Sequence, residues 1–269
     1  MPIYHILHIS DIHIRVGDSE RSREQEYLAA FAKLFEEIKA YPAHETLIVV
    51  TGDLFHNKHL IGPPGIEIAV QLLRGLSECA PTVVIRGNHD YRQDMPLEKD
   101  LISALTAYNI PNLHYFNETG CYEIENIGIG LVAIQDALLA NSTSGIAKKL
   151  PKFPSTKDFS EDVTHRIALF HGSITRARLQ NGTLYDSADG YPLEWFDEYD
   201  LVLLGDIHLQ QVNRATKVAY HGLSTPNATK LNTYKVQKGT WAYPGSLVQQ
   251  DFGEPLLGHG FLHLSLIHI

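Results

Sequence analysis

Cysteine and long apolar runs are both scarce in this sequence. Cys79 and Cys121 are the only cysteines, too few for a disulfide framework or a cysteine-based zinc cluster, so a reducing compartment is expected. No apolar stretch approaches the roughly 18 residues that span a bilayer. The first ten residues lack the basic start and apolar core of an export signal. These absences predict a soluble cytoplasmic protein, or a nuclear one if a eukaryotic or viral host requires it.

An excess of basic residues is also missing. Lys and Arg together number 22 against 31 Asp and Glu, which gives a formal net charge of -9. Non-specific affinity for nucleic acid comes mainly from Lys and Arg on phosphates, so the chain is not expected to coat DNA generally. The hydrophobic fraction of 44% is ordinary for a globular protein, and 269 residues can bury a substantial core.

The apolar pattern of the first half predicts strands that alternate with helices. Apolar residues recur at three- and four-residue steps from Tyr27 to Ile38, as on one face of a helix. The predicted strands are 3–10, 47–50 and 82–85, and the predicted helices are that segment, a helix after Pro63-Pro64, and 96–108. This alternation is typical of a parallel sheet covered by helices.

The second half is richer in strands. Short strands at 113–116, 121–125 and 129–134 predict a second, mixed or antiparallel sheet. The segment 137–163 is expected to be a partly helical surface excursion. Further strands are predicted at 166–170, 201–204, 218–221, 240–243 and 261–266. We therefore predict one domain over residues 1–269, an α/β four-layer αββα sandwich with two mixed β-sheets flanked by helices.

Side chains that commonly bind metals follow five of the predicted strands. Because the carboxyl ends of such strands form the ligand-binding rim of open α/β sheets, these tips are expected to converge. The candidate ligands are Asp11, His13, Asp53, Asn88, His171, Asp206 and His208. Oxygen and imidazole donors without sulfur favour Mn²⁺ or Mg²⁺ over structural zinc.

Each of these motifs is weak evidence by itself. An Asp-x-His sequence at a strand end is more often a turn with a hydrogen-bonded carboxylate, and Gly-Asp pairs are common turn formers. His171 alone would more simply be a hydrogen-bonded core histidine. Packing needs do not explain five such strand ends together, so the combination predicts a two-metal site that can clamp a phosphoryl group.

The same motifs resemble those of the calcineurin-like metallophosphoesterases. The motifs are Asp11-x-His13, Gly52-Asp53, Gly87-Asn88-His89-Asp90, His171 and Gly205-x-x-His208. The resemblance is closest to the SbcD-type nuclease subunit of double-strand-break processing complexes. The stretches that suggest this branch are Gly52-Asp53-Leu54-Phe55-His56, Phe170-His171-Gly172, Tyr243-Pro244-Gly245-Ser246-Leu247 and Asp251-Phe252-Gly253-Glu254.

The resemblance implies two sets of ligands that share Asp53. One ion would be held by Asp11, His13, Asp53 and His208, and the other by Asp53, Asn88, His171 and Asp206. His89 would face the scissile phosphate as a general acid, the alternative being a hydrogen bonder behind a ligand. Asp90 would orient His89, and His56 would orient the substrate.

The sequence departs from the family at the last motif. The family usually has Gly-His-x-His, whereas this chain has Gly205-Asp206-Ile207-His208. Aspartate is a competent ligand for a hard ion. The added negative charge is expected to favour Mn²⁺ or Mg²⁺ and to make a bridging water less acidic.

Basic residues beside the strand tips are candidate DNA contacts. Arg15, Arg92 and Lys58 are predicted to hold the phosphate backbone, although a solvated surface charge is the simpler interpretation of any one of them. Weaker candidates are His59, Arg86, Lys148, Lys149 and Lys152. The partners implied by the resemblance are DNA, a second copy of the chain and an SMC-like ATPase of the SbcC type.

The end of the chain differs from the branch it resembles. Proteins of that branch continue into a capping domain, whereas this sequence stops at Ile269 and is unlike the branch from Leu264 onward. A truncation before the capping domain, with a foreign tail, is therefore expected.

The predicted function is two-metal, Mn²⁺-type hydrolysis of DNA phosphodiesters, as an exonuclease and single-strand endonuclease in double-strand-break repair or recombination. One alternative is a metallophosphoesterase that acts on small phosphodiesters or phosphoproteins. The other alternative is a non-catalytic subunit that binds DNA ends.

Overall fold

The structure is a computed structural model that describes residues 1–15, 21–57, 61–92, 99–142, 150–185, 190–220, 231–250, 253–254 and 259–267. The strands in this part of the chain are β1 His5–Ile9, β2 Thr46–Thr51, β3 Thr82–Ile85, β4 Leu113–Phe116, β5 Gly120–Ile124, β6 Ile127–Leu131, β7 His165–His171, β8 Leu201–Gly205, β9 Gln211–Val212, β10 Ala215–Tyr220, β11 Leu231–Val236, β12 Thr240–Tyr243 and β13 Leu262–Ser265. The α-helices are α1 Arg21–Ile38, α2 Pro63–Cys79, α3 Leu101–Leu105 and α4 Ile134–Ser142.

The first sheet has the strand order β10-β11-β13-β1-β2-β3-β4. Strands β1 to β4 run parallel to one another, and β13 runs antiparallel to β1. Helices α1 and α2 cover the outer face of this sheet. Tyr27, Phe31, Leu34 and Ile38 follow the helical period along α1, and all four are buried in that layer.

The second sheet has the order β5-β6-β7-β8-β12-β9, with β6, β7, β8 and β12 parallel. Apolar side chains from both sheets, such as Val49 and Leu203, share one buried cluster between them. A further buried cluster on the outer face of the second sheet includes Ala137 of α4 and Phe196. Two mixed sheets flanked by helices confirm the predicted fold class.

Strand β4 lies in the first sheet, so its assignment to the second sheet was wrong. Leu113 pairs with Thr82 in a parallel register. The crossover through α3 returns the chain to the same edge, and Asn109 and Asn112 make the tight return with φ values of 46° and 58°. In the described part α3 starts after Asp100, whose side chain accepts a hydrogen bond from the backbone N–H of Ser103 at 2.7 Å.

One predicted strand differs from the structure in its boundary, and one strand of the structure was not predicted. Strand β6 ends at Leu131 and α4 begins at Ile134, whereas one strand was predicted to reach residue 134. Strand β11 was not predicted, because its sequence has little of the apolar character that marked the other strands.

The last strand is central to the first sheet. β13 pairs with β1 on one side and with β11 on the other. Leu264 and Leu266 are buried, although this segment is unlike the resembled branch. None of the helices in the described ranges has the length and apolar character needed to cross a bilayer.

Candidate metal centre

The carboxyl ends of five strands from the two sheets meet at one place. The backbone N–H of Asp11 donates to the carbonyl of Gly52 at 3.1 Å, which joins the tips of β1 and β2. Nδ1–H of His171 donates to the carbonyl of Thr51 at 2.7 Å, which joins β7 of the second sheet to β2 of the first. The convergence expected from the sequence therefore occurs.

The backbone at these tips is held in an unusual conformation. Asp11, His13, Asp53 and Asp206 all have positive φ, with values of 51°, 48°, 51° and 91°. Left-handed backbone costs a non-glycine residue about 1–3 kcal/mol, so surrounding contacts must compensate for it. Four of the seven predicted ligands share this strain, which bends each strand end toward the common centre.

The first predicted ligand set is assembled around two facing imidazoles. Nε2 of His13 lies 3.0 Å from Nε2 of His208. The same His13 nitrogen lies 3.5 Å from Oδ2 of Asp53, and Nε2 of His208 lies 3.7 Å from Oδ1 of Asp11. Two nitrogens and two carboxylates that converge in this way fit one divalent cation.

The second predicted set lies on the other side of Asp53. Nε2 of His171 is 3.0 Å from Oδ1 of Asn88, 3.4 Å from Oδ2 of Asp53 and 4.0 Å from Oδ1 of Asp206. The same oxygen of Asp53 therefore faces both His171 and His13. This arrangement fits a carboxylate that bridges two ions.

Hydrogen bonds behind the ligands fix their orientation. His171 donates through Nδ1, so its Nε2 faces the centre. Nδ1–H of His208 donates to Oε1 of Glu254 at 2.6 Å, which has the same effect on that ring. Oδ2 of Asp206 accepts from the hydroxyl of Ser173 at 2.6 Å, which leaves Oδ1 toward His171.

Sequence reasoning did not assign a role to Glu254. Its carboxylate is 3% exposed and also accepts from the hydroxyl of Ser246 and the backbone N–H of Gln250, both at 2.8 Å. The signal available was the late Asp251–Glu254 stretch, which was used only for resemblance. A buried carboxylate that contacts an imidazole ligand is the usual partner of a metal-binding histidine.

Charges in the centre are strongly coupled. Burial raises the pKa of Asp11 to about 6 and, with neighbouring histidines, lowers the pKa of His13 to about 3. Burial also opposes ionisation of Asp53 and His171, but their mutual attraction outweighs it, lowering the pKa of Asp53 and raising that of His171 well above its ordinary value. Ligand carboxylates and imidazoles bind a metal in their deprotonated forms, so a divalent cation in this centre would replace these protons.

The predicted catalytic residues stand beside the first ligand set. The ring of His89 lies 5.0 Å from that of His13 and 5.8 Å from that of His56, measured between centroids. Nδ1–H of His89 donates to the carbonyl of His56 at 2.7 Å. His89 and His56 are therefore neighbours at the mouth of the centre.

Among the described residues, the Asp90 carboxylate forms no hydrogen bond with the His89 ring, and its predicted role in orienting His89 stays a prediction. Its buried carboxylate instead accepts from the backbone N–H groups of Phe55 and Gly87, at 3.0 and 2.8 Å. Burial and the nearby Asp53 raise the pKa of Asp90 to about 8. Asp90 thus holds the loops that carry the site, and the carbonyl of His56 orients His89.

The predicted DNA contacts have varied surroundings. The Arg15 guanidinium donates to the carbonyl and Oε1 of Gln250, both at 3.1 Å. Arg86 forms an ion pair with Asp100 at 2.9 Å. Arg92 is half-buried and Lys152 is exposed. Lys58, His59, Lys148 and Lys149 lie outside the described residues.

Comparison with known proteins shows the family to which the chain is similar. The calcineurin-like phosphoesterase family matches residues 4–210, a range that includes all seven ligand candidates. An uncharacterized protein of Acanthamoeba polyphaga mimivirus is 31% identical over 268 residues, and the alignment covers 98% of this chain. The chain spans 17% of that relative's length.

Proposed function

The chain belongs to the calcineurin-like phosphoesterase family and is a metal-dependent hydrolase of phosphoester bonds, and from that premise we propose that it hydrolyses DNA phosphodiesters with two divalent ions. Mn²⁺ is the preferred ion, with Mg²⁺ as a substitute. The proposal includes exonuclease and single-strand endonuclease activity in double-strand-break repair or recombination.

One observation carries the two-ion part of the proposal. Oδ2 of Asp53 lies 3.5 Å from Nε2 of His13 and 3.4 Å from Nε2 of His171, so one oxygen serves both ligand sets. When bound, two ions would supply Lewis acidity and a hydroxide nucleophile at neutral pH. The oxygen-rich second set, with Asn88 and Asp206, supports Mn²⁺ or Mg²⁺.

His89 is the residue proposed to handle the leaving group. Its Nδ1–H is held by the carbonyl of His56, so Nε2 is the nitrogen that gains and loses a proton. A protonated imidazole can donate that proton to the leaving oxygen. His56 lies beside it and is proposed to orient the phosphodiester.

DNA as the substrate is supported by the motifs shared with the SbcD-type nucleases, the late Tyr243–Leu247 and Asp251–Glu254 stretches among them. Ser246 and Glu254, from these stretches, contact each other behind His208. The proposed partners, a second copy of the chain and an SMC-like ATPase, rest on the same resemblance.

A Mn²⁺-dependent nuclease assay on linear and single-stranded DNA tests the proposal. Wild-type protein should cleave both with Mn²⁺ and neither with EDTA, and His89→Ala should lose about 10²–10⁴-fold in rate. His44→Ala, at an exposed histidine outside the centre, is the matched control and should be unaffected. Cleavage of small diesters or phosphoproteins without cleavage of DNA would favour the first alternative. Tight binding of DNA ends without turnover would favour the second.

A further inference from the structure

A groove leads away from the candidate metal centre along the second sheet. Its volume is about 600 Å³, within the range of sites that bind small molecules. Asp206 and His208 line one part of it, so the groove is continuous with the centre. The other lining residues are Ser173, Leu179, Gln180, Asn181, Ile207 and Gly253.

Part of the lining comes from a hairpin that follows β7, which we define as residues 173–185. Arg178 and Leu184 form an antiparallel bridge, and the turn closes with the backbone N–H of Gly182 donating to the carbonyl of Leu179 at 2.9 Å. Ile174 and Ala177 are buried at its base. The hairpin therefore has hydrogen bonds of its own and packs against the second sheet through its base.

The side chain of Gln211 in β9 fixes the middle of the hairpin. Its Oε1 accepts from the backbone N–H of Arg178 at 2.8 Å, and its Nε2 donates to the carbonyl of the same residue at 3.0 Å. Both the N–H and the carbonyl of Arg178 are therefore hydrogen-bonded, which fixes the backbone beside the groove. A fixed backbone presents the neighbouring side chains at a constant position.

The hairpin carries a polar side chain in the groove lining and a basic side chain close to it in sequence. Gln180 lines the groove, and Arg178 lies two residues before it in the chain. Both are exposed, and among the described residues their side chains have no hydrogen bond or ion pair. A glutamine amide both donates and accepts, which is the chemistry that recognises a base edge. Leu179 and Ile207 add apolar surface for the face of a base or sugar. Exposed arginines suit backbone phosphates.

We propose that the groove and the hairpin form a nucleoside subsite, in which Gln180 binds the base next to the scissile phosphate and Arg178 binds the following phosphate. This inference rests on the proposed phosphodiesterase function and names the part of the substrate that is recognised. Its occupant is one nucleoside of a nucleic-acid strand. Asp206 and His208 also line the groove, but they are assigned to the metal ions and not to recognition of the nucleoside.

Two synthetic diesters separate recognition from chemistry. One is the p-nitrophenyl ester of thymidine 5′-monophosphate, and the other is bis(p-nitrophenyl) phosphate, which has no nucleoside. In both, water adds across a P–O bond and p-nitrophenol leaves. Gln180→Ala should raise KM for the thymidine ester about fivefold and change KM for the other ester by less than about twofold.

Arg178→Ala tests the second contact. It should weaken inhibition by a thymidine trinucleotide about fivefold, because the trinucleotide supplies the following phosphate that Arg178 would bind. Arg74→Ala is the control: Arg74 is an exposed arginine in the C-terminal half of α2, away from the groove. Equal KM values for the two esters in wild type, or faster turnover of a phosphoserine peptide than of either ester, would overturn the subsite.

Calorimetric titration separates failure of this inference from failure of the proposed function. With Mn²⁺ present, thymidine 5′-monophosphate should bind at least about fivefold tighter than inorganic phosphate, and Gln180→Ala should remove the difference. If that preference holds but no diester is cleaved, the phosphodiesterase function is wrong and the subsite stands. If the two ligands bind equally, the subsite is wrong whatever the activity.

Discussion

Glu254 and His208 form a buried hydrogen bond of 2.6 Å between Oε1 and Nδ1–H. The opposite nitrogen of the same ring lies 3.0 Å from Nε2 of His13. A residue near the end of the chain therefore sets the direction of a side chain in the candidate metal centre. The hydroxyl of Ser246 and the N–H of Gln250 fix the other oxygen of the same carboxylate.

We expect Glu254→Ala to weaken Mn²⁺ binding by about 10–100-fold, the usual effect of removing the carboxylate behind a histidine ligand. Glu254→Gln should lose less, because the amide oxygen can still accept from Nδ1–H. Titration of Mn²⁺ followed by the EPR signal of the free ion measures both. Glu36→Gln, an exposed carboxylate on α1, is the control, and an unchanged Mn²⁺ affinity in Glu254→Ala would contradict this role for Glu254.

The aspartate in the last motif should set the choice of metal. Asp206→His restores the residue usual in the family and is expected to keep activity while reducing the preference for Mn²⁺ and Mg²⁺ over softer ions. Ser173→Ala frees Oδ2 of Asp206 and should weaken Mn²⁺ binding without shifting the order of metals. Competition titrations between Mn²⁺ and Zn²⁺ compare the three proteins. If Asp206→Ala left metal binding and turnover unchanged, Asp206 would not be a ligand.

Buried histidines outside the centre make the metal-free fold sensitive to acid. Nε2 of His8 is bonded to Oγ1 of Thr51, and His263 lies between His5 and Thr233. Burial lowers the pKa of His8 and of His263 to about 3. Since the unfolded chain binds their protons near pH 6.5 and the folded chain does not, their contribution is complete above pH 6.5 and is lost as pH falls.

Each of these two histidines should lower the free energy of unfolding by roughly 2 kcal/mol between pH 6.5 and pH 5. Urea unfolding in EDTA at several pH values measures the loss. Asp11 contributes with the opposite sign, because its pKa is raised to about 6, so the informative quantity is the difference between wild type and His263→Gln. That difference should shrink as pH falls from 6.5 to 5. A difference that does not change with pH would show that His263 is not neutral in the folded protein.

The positions of residues at the strand ends could be predicted from the sequence, whereas contacts between distant segments could not. Asp11 and Asp53 each follow a short apolar run, and parallel strands place such residues at one edge, so their proximity followed from local pattern and the geometry of sheets. The contact between His208 and Glu254 spans 46 residues in sequence, and no periodicity encodes it. The sheet to which β4 belongs was missed for the same reason, since strand pairing is decided by the crossover rather than by the strand's own residues.

Gly52 shows how tightly the strand tips are packed. Its φ is 93°, and a Cβ there would lie 2.5 Å from the backbone nitrogen of Gly87 and 2.7 Å from Nδ1 of His171. Gly182, at the tip of the hairpin, has a similar φ of 81° but has open space around the same position. The two glycines therefore separate the cost of the backbone conformation from the cost of crowding.

Gly182→Ala should lower the free energy of unfolding by about 1–2 kcal/mol, the cost of left-handed backbone for a residue with a Cβ. Gly52→Ala should lose that amount plus about 1–3 kcal/mol or more for overpacking against backbone that cannot move freely. Urea unfolding of the two metal-free variants gives both values. Because crowding at Gly52 displaces the His171 ring, Gly52→Ala should also lose Mn²⁺ affinity, whereas Gly182→Ala should keep it. Equal losses of stability in the two variants would mean that the strand tips can separate, and the close approach of Gly52, Gly87 and His171 would then not be what holds the ligands together.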